Sequence, residues 1–343
     1  MVYTKWYKSD KTEQDQVISS RVRLARNLEQ HPFQRKLTES DAKEIVQKVQ
    51  NRIETINQTD IYSEFFAHDL CKIERQMFLE KHIVSPKFLL GRLPKAIYTD
   101  KEQSISIMVN EEDHVRIQAV KPGRDIFVAL SDANQVDDML ERSLNFSFDG
   151  TLGYLTSCPT NVGTGLRASF LIHLPCLDKT ELLKKIIPYI TKKGLTLRGI
   201  YGEGTIPLGS IYQLSNQVTT GKSEKEILKD LEIATDTIIQ YENQVMDKIL
   251  STRQNYLQDK AYRAYAILAS CRRISVKEAM GLLSDVRLGF LAKLLDMPKP
   301  DMPMYEIMIN VQPGHLCYDF GVIMDEGETD IARADYLRTV FSL

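Results

Sequence analysis

The chain has 343 residues, of which 43% are hydrophobic and 26% are charged, and its formal net charge is −2. This length allows one large domain with a smaller one, or two domains of medium size. The balanced charge gives no argument for binding to nucleic acid or to an acidic membrane surface. No apolar run approaches the roughly 18 residues of a membrane span, and the polar N-terminus lacks the apolar core of a secretory signal. We therefore expect a cytoplasmic protein that binds neither nucleic acid nor membrane.

Cysteine and histidine spacing gives no sign of a disulfide framework or a metal site. The five cysteines are scattered without CxxC spacing, and the six histidines form no HxxxH or HExxH pair. An odd number of scattered cysteines is typical of a protein in the reducing cytosol. We therefore expect no metal held by dedicated protein ligands.

The first half of the chain changes from a helical pattern to an alternating one. Residues 38–56 predict a helix, because Thr38 and Asp41 can cap it and its apolar residues recur on one face. Apolar and polar residues then alternate in short runs, which predicts strands. These predicted strands cover residues 105–109, 115–119, 195–197 and 211–214.

The second half of the chain is predicted to be mainly helical. Ser223 and Glu226 form a capping box that opens a long helix. Ser275 and Glu278 cap a later helix, and a last helix is predicted near 330–341.

The pattern changes near residue 252, where the long helix gives way to shorter helices separated by prolines. Prolines end helices because they lack an N–H donor and clash with the preceding turn. We therefore predict a mixed α+β domain over residues 1–252 and a mostly helical domain over residues 253–343.

Two motifs resemble nucleotide-binding loops but lack the surroundings that such loops need. Gly163, Gly165 and Ala168 match a relaxed dinucleotide fingerprint. Pro159 stands just before them, however, and proline cannot sit in the central parallel strand that this motif follows. Residues 216–223 resemble a P-loop whose first glycine is replaced. We interpret this second segment as a turn followed by a helix N-cap.

Three arginines lie within six residues, at Arg21, Arg23 and Arg26. Their strand-like flanks place Arg21 and Arg23 on one face, where two guanidinium groups repel each other unless an anion lies between them. A polyphosphate suits such a place, because its oxygens accept paired donors from arginine. A basic, solvated strand face is the alternative interpretation.

The segment from Cys158 to Arg167 contains one proline, two glycines and several small hydroxyl residues. This composition predicts a tight loop with exposed backbone N–H groups. A cysteine at the start of the loop can be held as a thiolate if cations lie close. A small core residue is the alternative, although the loop offers few large apolar neighbours.

Taken together, four segments resemble the phosphagen (guanidino) kinase family in order and approximate spacing. They are SSRVRLARN at 19–27, NEEDHVRI at 110–117, CPTNVGTGLRAS at 158–169 and RGIYGEGT at 198–205. The CPTN sequence followed by Gly-Thr is the identifying motif of the family, and the resemblance covers residues 17–250. It implies an α+β catalytic domain, built from an antiparallel sheet flanked by helices, that binds ATP.

The resemblance also implies roles for individual residues. The arginines that resemble the phosphate-binding set of the family are Arg21, Arg23, Arg116, Arg167 and Arg198. The other implied nucleotide contacts are Ser19, Ser20, Val22, His82, Ala168, Ser169, Phe170, Leu171, Gly199, Ile200, Tyr201, Gly202 and Glu203. Glu112 and Glu203 resemble the two catalytic carboxylates that clamp the guanidinium, and Cys158 resembles the reactive thiol.

The chemistry of a guanidine agrees with these implied roles. A guanidinium, with a pKa above ~12, is a poor nucleophile because it carries a proton and its lone pairs are delocalised. Two carboxylates can fix its plane by hydrogen bonds, and one can take the proton as attack proceeds. Arginines and Mg²⁺ would stabilise the charge on the transferred phosphoryl group, with Mg²⁺ held mainly by nucleotide phosphates and water.

Within the family, the chain is most like the bacterial protein arginine kinases of the McsB type. We expect it to lack the helical N-terminal domain of creatine and arginine kinases, which would leave the cleft open to an arginine on a protein surface. The resemblance implies protein substrates with exposed arginines and a homodimer that acts in the stress response. Its implied partners are an activating zinc-binding adaptor, a heat-shock repressor and the Clp ATPase and protease machinery. The alternatives are a small-molecule guanidino kinase and a non-catalytic adaptor that binds phosphoarginine.

Asp330 and Arg333 resemble part of the RDxxRA motif that binds phosphoarginine at a regulatory site of protein arginine kinases. Thr329 stands here in place of the leading arginine of that motif. The alternative is a plain helix start, in which Thr329 or Asp330 is the N-cap and Arg333 lies on a solvated face.

Overall fold

The computed structural model describes residues 5–56, 61–199 and 207–342. The strands of this part of the chain are β1 Val17–Arg26, β2 Tyr62–Phe66, β3 Ala96–Asp100, β4 Ile105–Val109, β5 Val115–Pro122, β6 Phe148–Asp149, β7 Gly153–Tyr154, β8 Leu166–His173, β9 Leu195–Gly199 and β10 Ile211–Asn216. The helices are α1 Glu39–Ile56, α2 Lys72–Glu80, α3 Ile126–Glu141, α4 Pro175–Lys179, α5 Leu183–Lys192, α6 Glu224–Ser270, α7 Val276–Leu291, α8 Met304–Asn310, α9 Pro313–Phe320 and α10 Glu326–Val340.

Eight of these strands form one sheet in the order β2-β3-β4-β5-β1-β8-β10-β9, and β6 pairs with β7. The neighbours from β2 to β1 are antiparallel. Helices accompany this sheet and fill the C-terminal region, so the predicted α+β class is confirmed. No helix in the described ranges is long and apolar enough to cross a bilayer.

The chain divides into two compact units. Unit one comprises Met1–Trp6, Ser19–Ser169 and Ser215–Leu231, and unit two comprises Tyr7–Ile18, Phe170–Leu214 and Glu232–Leu343. The boundary near residue 252 stays a prediction.

In unit one, α1 and α3 pack on the antiparallel strands. Helix α1 begins as predicted, since the Thr38 hydroxyl accepts a hydrogen bond from the backbone N of Asp41 at 3.2 Å. Its residues Ile45 and Val49 are fully buried. The apolar face of α3 covers β5, whose Ile117 is equally buried. Burial of these facing apolar surfaces stabilises the sheet.

The two segments that resemble nucleotide-binding loops form other structures, as interpreted from the sequence. Gly163 and Gly165 lead into strand β8 instead of a helix. In residues 216–223, Asn216 ends β10 and the Ser223 hydroxyl accepts a hydrogen bond from the backbone N of Glu226 at 3.3 Å. That bond caps the start of α6.

Helix α6 has a break near residue 252, where the sequence predicted that the long helix would give way. It continues to Ser270, and Arg253 alone within it has non-helical angles, with φ −145° and ψ 38°. The continuation has its own apolar stripe, because Leu257, Ala261 and Leu268 are buried. A change of stripe at Arg253 therefore marks a break within one helix.

The last helix begins earlier than predicted. Asp325 is the N-cap of α10, where its side chain accepts a hydrogen bond from the backbone N of Glu328 at 2.8 Å. Thr329 and Asp330 consequently lie inside the helix, and the interpretation of either as N-cap is wrong. Arg333 is 1% exposed, so its placement on a solvated face is wrong as well.

Candidate active site

The middle strands of unit one place several arginines on one face of the sheet. Arg21 and Arg23 project from the same side of β1, because the alternate residues Val22 and Leu24 are fully buried on the other side. Strand β5 pairs with β1 so that Arg116 stands opposite Ala25, two places along from Arg23. Opposite residues of an antiparallel pair share a face.

Strand β8 follows β1 in the sheet and carries Arg167, whose side chain is half-buried like those of Arg21 and Arg23. We call Arg21, Arg23, Arg116 and Arg167 the arginine face. Three neighbouring strands of the sheet, β5, β1 and β8, thus bring together four residues that the sequence analysis selected.

The arginine face has a surplus of positive charge. Burial, and then the charges of Arg116, Arg21 and Arg167, lower the pKa of the Arg23 guanidinium well below its usual range, while Glu111 acts in the opposite direction. The buried Nε of Arg23 has no hydrogen-bond partner among the described residues. Crowded, partly desolvated cations are unfavourable until an anion joins them. The face therefore fits the phosphates of a nucleotide, whose oxygens suit guanidinium donors.

His82 lies close to the arginine face. Its φ of 56° is in the left-handed region, and its carbonyl oxygen accepts a hydrogen bond from Gln118 Nε2 at 2.7 Å. Burial, and then the charge of Arg21, lower the pKa of His82 to about 3. The imidazole is therefore neutral at pH 7 and can both donate and accept a hydrogen bond beside the arginines.

The loop between β4 and β5 carries two adjacent glutamates with different surroundings. Glu111 is buried, where it pairs with Arg116 at 2.7 Å and accepts a hydrogen bond from the Ser85 hydroxyl at 2.5 Å. Burial alone would raise the pKa of Glu111, but the charge of Arg116 and these hydrogen bonds lower it to about 2. Glu111 is thus a carboxylate already held by protein groups.

Glu112, the predicted catalytic carboxylate, is open to solvent by comparison. Its side chain is 32% exposed and lies 3.3 Å from Lys87 Nζ. Its backbone N donates a hydrogen bond to Glu111 Oε2 at 2.6 Å, which fixes the main chain from which the side chain projects. Glu112 is consequently the member of the pair that can reach a substrate cation.

Sequence reasoning missed the polar frame that holds this loop. Asp113 is buried and accepts hydrogen bonds from Asn27 Nδ2 at 2.7 Å and from the backbone N of Ser157 at 2.6 Å. His114 Nδ1 accepts from the backbone N of Leu28 at 3.0 Å. The signal was present in the sequence, because a run of five polar residues between two buried strands is unusual unless each has a partner.

Asp113 also links the loop between β4 and β5 to the loop that begins at Cys158, since Ser157 directly precedes Cys158. The Cys158 sulfur is half-exposed and lies 3.0 Å from the Thr160 hydroxyl. The Thr219 hydroxyl bonds to the carbonyl oxygens of Thr160 and Val162, at 3.0 and 2.7 Å. This loop is therefore fixed from two sides, and the thiol is accessible.

Other predicted nucleotide contacts of unit one are buried, namely Ser19, Ser20, Val22, Ala168 and Ser169. The Ser20 hydroxyl donates to the carbonyl oxygen of Gly123 at 2.7 Å and accepts from the backbone N of Asp125 at 2.9 Å. Its side chain thus holds the start of α3, and a nucleotide contact from Ser20 would use its backbone.

The remaining predicted contacts lie in unit two or beyond the described ranges. Phe170 and Leu171 are buried on β8, and Arg198 and Gly199 end β9. Arg198 Nε donates to the Thr196 hydroxyl at 3.1 Å. Ile200, Tyr201, Gly202 and Glu203 fall outside the described residues, so the second predicted carboxylate is not placed.

In unit two, Asp330 and Arg333 are buried together. Arg333 Nη1 contacts Asp330 Oδ1 at 2.7 Å and the carbonyl oxygen of Ile274 at 2.8 Å, and its Nε donates to the carbonyl oxygen of Val311 at 2.8 Å. Arg273 Nε lies 3.4 Å from the other Asp330 oxygen, and its side chain is 65% exposed. Of the two guanidinium groups beside Asp330, that of Arg273 therefore faces solvent and that of Arg333 does not.

No set of three metal-ligating side chains occurs in the part of the chain that the structure describes.

Two family models match the chain. The model described as ATP:guanido phosphotransferase, C-terminal catalytic domain, matches residues 44–245. The model described as protein-arginine kinase McsB C-terminal domain matches residues 254–343.

Curated proteins of similar sequence carry the name protein-arginine kinase. The one from Brevibacillus brevis is 40% identical over 98% of this chain and 94% of its own length. The one from Halalkalibacterium halodurans is 41% identical over 98% of this chain and 95% of its own. The one from Bacillus subtilis is 40% identical over 97% of this chain and 92% of its own length.

Solved structures of guanidino kinases resemble the fold. Lombricine kinase matches with a TM-score of 0.61 and 21% identity, over 71% of this chain and 70% of its own. The substrate-free duplicated taurocyamine kinase from Schistosoma mansoni matches with a TM-score of 0.61 and 21% identity, over 92% of this chain and 49% of its own. At these identities the likeness establishes the fold alone.

Proposed function

The chain belongs to the ATP:guanido phosphotransferase family, and from this premise we propose that it phosphorylates arginine side chains of other proteins. The resemblance to phosphagen kinases is thereby confirmed, and the chain is an ATP-dependent guanidino phosphotransferase. The proposal concerns the substrate, the residues that act on it and the cellular setting.

The arginine face is the observation that carries the proposal. Four guanidinium groups on adjacent strands, with Arg23 half-buried among like charges, suit a polyphosphate. Glu112 projects from the loop that precedes β5, the strand that also carries Arg116. An anion site for ATP and a carboxylate for a cationic acceptor therefore belong to the same part of unit one.

We assign the chemical steps to these residues. Arg21, Arg23, Arg116, Arg167 and Arg198 hold the phosphates, and His82 adds a neutral hydrogen-bonding group. Glu112 and Glu203 bind the substrate guanidinium by paired hydrogen bonds, and one of them accepts its proton. Cys158 lies beside the acceptor. Bound Mg²⁺ would neutralise phosphate charge, so alignment and electrostatics supply most of the rate enhancement.

The substrate assignment rests on the relatives. Those of about 40% identity over nearly the whole chain are named protein-arginine kinases, and residues 254–343 match a domain model of the same name. By the same resemblance, the chain acts in the cytoplasmic stress response as a homodimer and marks proteins for Clp-dependent degradation. Its partners would be an activating adaptor and a heat-shock repressor. Light scattering of the purified chain tests the dimer, and a monomeric mass would refute it.

The experiment is ³¹P NMR of the purified chain with Mg·ATP and either an unfolded arginine-rich protein or free arginine. A protein-bound, acid-labile P–N resonance is expected with the protein substrate, and the Glu112→Gln variant should not produce it. A signal on free arginine alone would replace the proposal by a small-molecule guanidino kinase. If neither substrate gives a P–N resonance but the chain still binds phosphoarginine, a non-catalytic adaptor would be favoured.

We also propose that Asp330 and Arg333 form the core of a phosphoarginine regulatory site. Arg273 supports this assignment, because its exposed guanidinium beside Asp330 can meet the phosphoryl group in place of the arginine that Thr329 replaces. Equilibrium dialysis with phosphoarginine tests it. Arg273→Ala should weaken binding, whereas unchanged binding would refute the assignment.

A further inference from the structure

Lys87 makes an ion pair with the carboxylate that the proposed function assigns to the substrate. Its Nζ lies 3.3 Å from Glu112 Oε1, and the side chains are 59% and 32% exposed. A positive charge of the protein itself thus stands where a substrate guanidinium would be bound.

The backbone that carries Lys87 is fixed on both sides. On one side, the Ser85 hydroxyl donates to Glu111 Oε1 at 2.5 Å and accepts from the backbone N of Phe88 at 3.0 Å. On the other, Phe88 is fully buried in the apolar cluster of α2, β3 and β4. Lys95 Nζ, which donates to the carbonyl oxygen of Phe88 at 2.8 Å, closes this turn.

The side chain of Lys87, in contrast to its backbone, can move. It is mostly in solvent, and a lysine has four rotatable side-chain bonds and no fixed fork of donors. The segment therefore keeps the ammonium near Glu112 without burying it. Displacement by another cation requires no change of the main chain.

We propose that Lys87 is a further residue of the substrate site, which acts as a displaceable substrate mimic on Glu112 and sets the affinity for the arginine substrate. This inference rests on the proposed role of Glu112. A planar guanidinium offers two parallel donors to a carboxylate and displaces the single-point ammonium, whereas a monodentate amine gains no such advantage. Lys87 thus weakens the binding of every cation that uses Glu112 by a similar factor, and arginine retains the highest affinity because of its paired donors.

The size of the effect follows from the exposure of the pair. Exposed ion pairs contribute little, so removal of Lys87 should tighten arginine binding by at most about fivefold. Because the contact is lost before chemistry begins, KM for the arginine substrate should fall while kcat and KM for Mg·ATP stay unchanged.

The test is equilibrium binding of a fluorescein-labelled arginine-glycine peptide, followed by anisotropy in the presence of Mg·ADP. Lys87→Met should bind the peptide more tightly than the wild type, by up to about fivefold. Lys87→Arg places a guanidinium with paired donors beside Glu112 and should bind the peptide more weakly than the wild type. Lys43→Met is the matched control, because Lys43 has a similarly exposed ion pair, with Glu39 at 2.7 Å, on helix α1.

A double-mutant comparison shows whether Lys87 acts through Glu112. In a Glu112→Gln background, Lys87→Met should no longer change the affinity. Equal or weaker binding by Lys87→Met alone, or an equal gain from Lys43→Met, would overturn the proposal. The assay measures binding without turnover, so it tests Lys87 even if the chain does not phosphorylate arginine. Absence of phosphoryl transfer would count against the proposed function and not against the role of Lys87.

Discussion

Arg23 and Arg26 stand three residues apart on strand β1 and have opposite surroundings. Arg26 is 2% exposed, pairs with Asp137 at 2.6 Å and lies over the ring of Tyr154 at 3.5 Å. Arg23 is surrounded by other arginines, and burial together with their charge lowers its pKa. One guanidinium is therefore satisfied within the protein, and the other is left for a ligand.

This difference separates stability from function along a single strand. An odd spacing puts Arg26 on the opposite face from Arg23, where helix α3 supplies Asp137. Gly165 keeps the backbone of β8 close to Arg26, since a Cβ there would lie 2.6 Å from Arg26 Nη1. Among the described contacts of Arg23, no helix supplies a carboxylate that would neutralise its charge.

The largest expected effect is on stability and comes from Arg26→Met. Loss of the guanidinium leaves Asp137 buried without its cation, which should lower the free energy of unfolding by about 3–5 kcal/mol. Burial raises the pKa of Asp137 by more than the charge of Arg26 lowers it. If the carboxyl takes up a proton when Arg26 is lost, the loss of stability should be nearer to about 3 kcal/mol. Urea unfolding measures it. Adding Asp137→Leu should restore part of the stability, and a loss below about 1 kcal/mol would contradict a structural role for the pair.

Arg23→Met should have the reverse profile. The variant would lose one of the proposed phosphate ligands, so kcat/KM should fall about 10²- to 10³-fold. Its unfolding free energy should stay constant or rise, because an uncompensated cation leaves the arginine face. Steady-state kinetics and urea unfolding on the same preparation decide the matter. A stability loss like that of Arg26→Met, with activity retained, would reverse the comparison.

The sequence could predict part of this contrast and not the rest. Alternation along β1 is local, so the shared face of Arg21 and Arg23 was readable. The partner of Arg26 was not, because Asp137 is 111 positions away and nothing local connects them. Glu111 and Glu112 show the same limit. They are adjacent and identical in type, and only the fold decides which of them meets Arg116.

Helix ends follow a similar rule. The caps at Thr38, Ser223 and Ser275 were predicted because each bond closes within three residues. The break at Arg253 lies where the sequence pattern changes, near residue 252. The start of α10 at Asp325 was missed, because a motif resemblance drew attention to Thr329 and Asp330, inside the helix.

The pKa values of two histidines predict how stability changes with pH. His82 lies beside the arginine face, and His114 lies in the loop between β4 and β5. Burial lowers the pKa of His114 from 6.5 to about 4, and burial with Arg21 lowers that of His82 from 6.5 to about 3. Both folded values lie below the unfolded one, so their stability contribution is complete above pH 6.5 and is lost as pH falls toward 4 and 3.

Between pH 7 and pH 4, each histidine should therefore account for about 3 kcal/mol of acid sensitivity, since one pKa unit corresponds to about 1.4 kcal/mol. Thermal unfolding between pH 7 and pH 4 tests this value. His114→Gln and His82→Gln should each flatten the profile relative to the wild type. Profiles as steep as that of the wild type would show that these imidazoles are not buried in neutral form.

The most direct measurement is calorimetric titration of Mg·ATP into the wild-type chain, Arg23→Met and Lys43→Met. If the arginine face is the nucleotide site, Arg23→Met should bind at least about tenfold more weakly, because a charge-assisted hydrogen bond is lost. Lys43→Met should bind as the wild type does. Equal affinities for all three proteins would contradict the assignment of the arginine face and would place the nucleotide elsewhere.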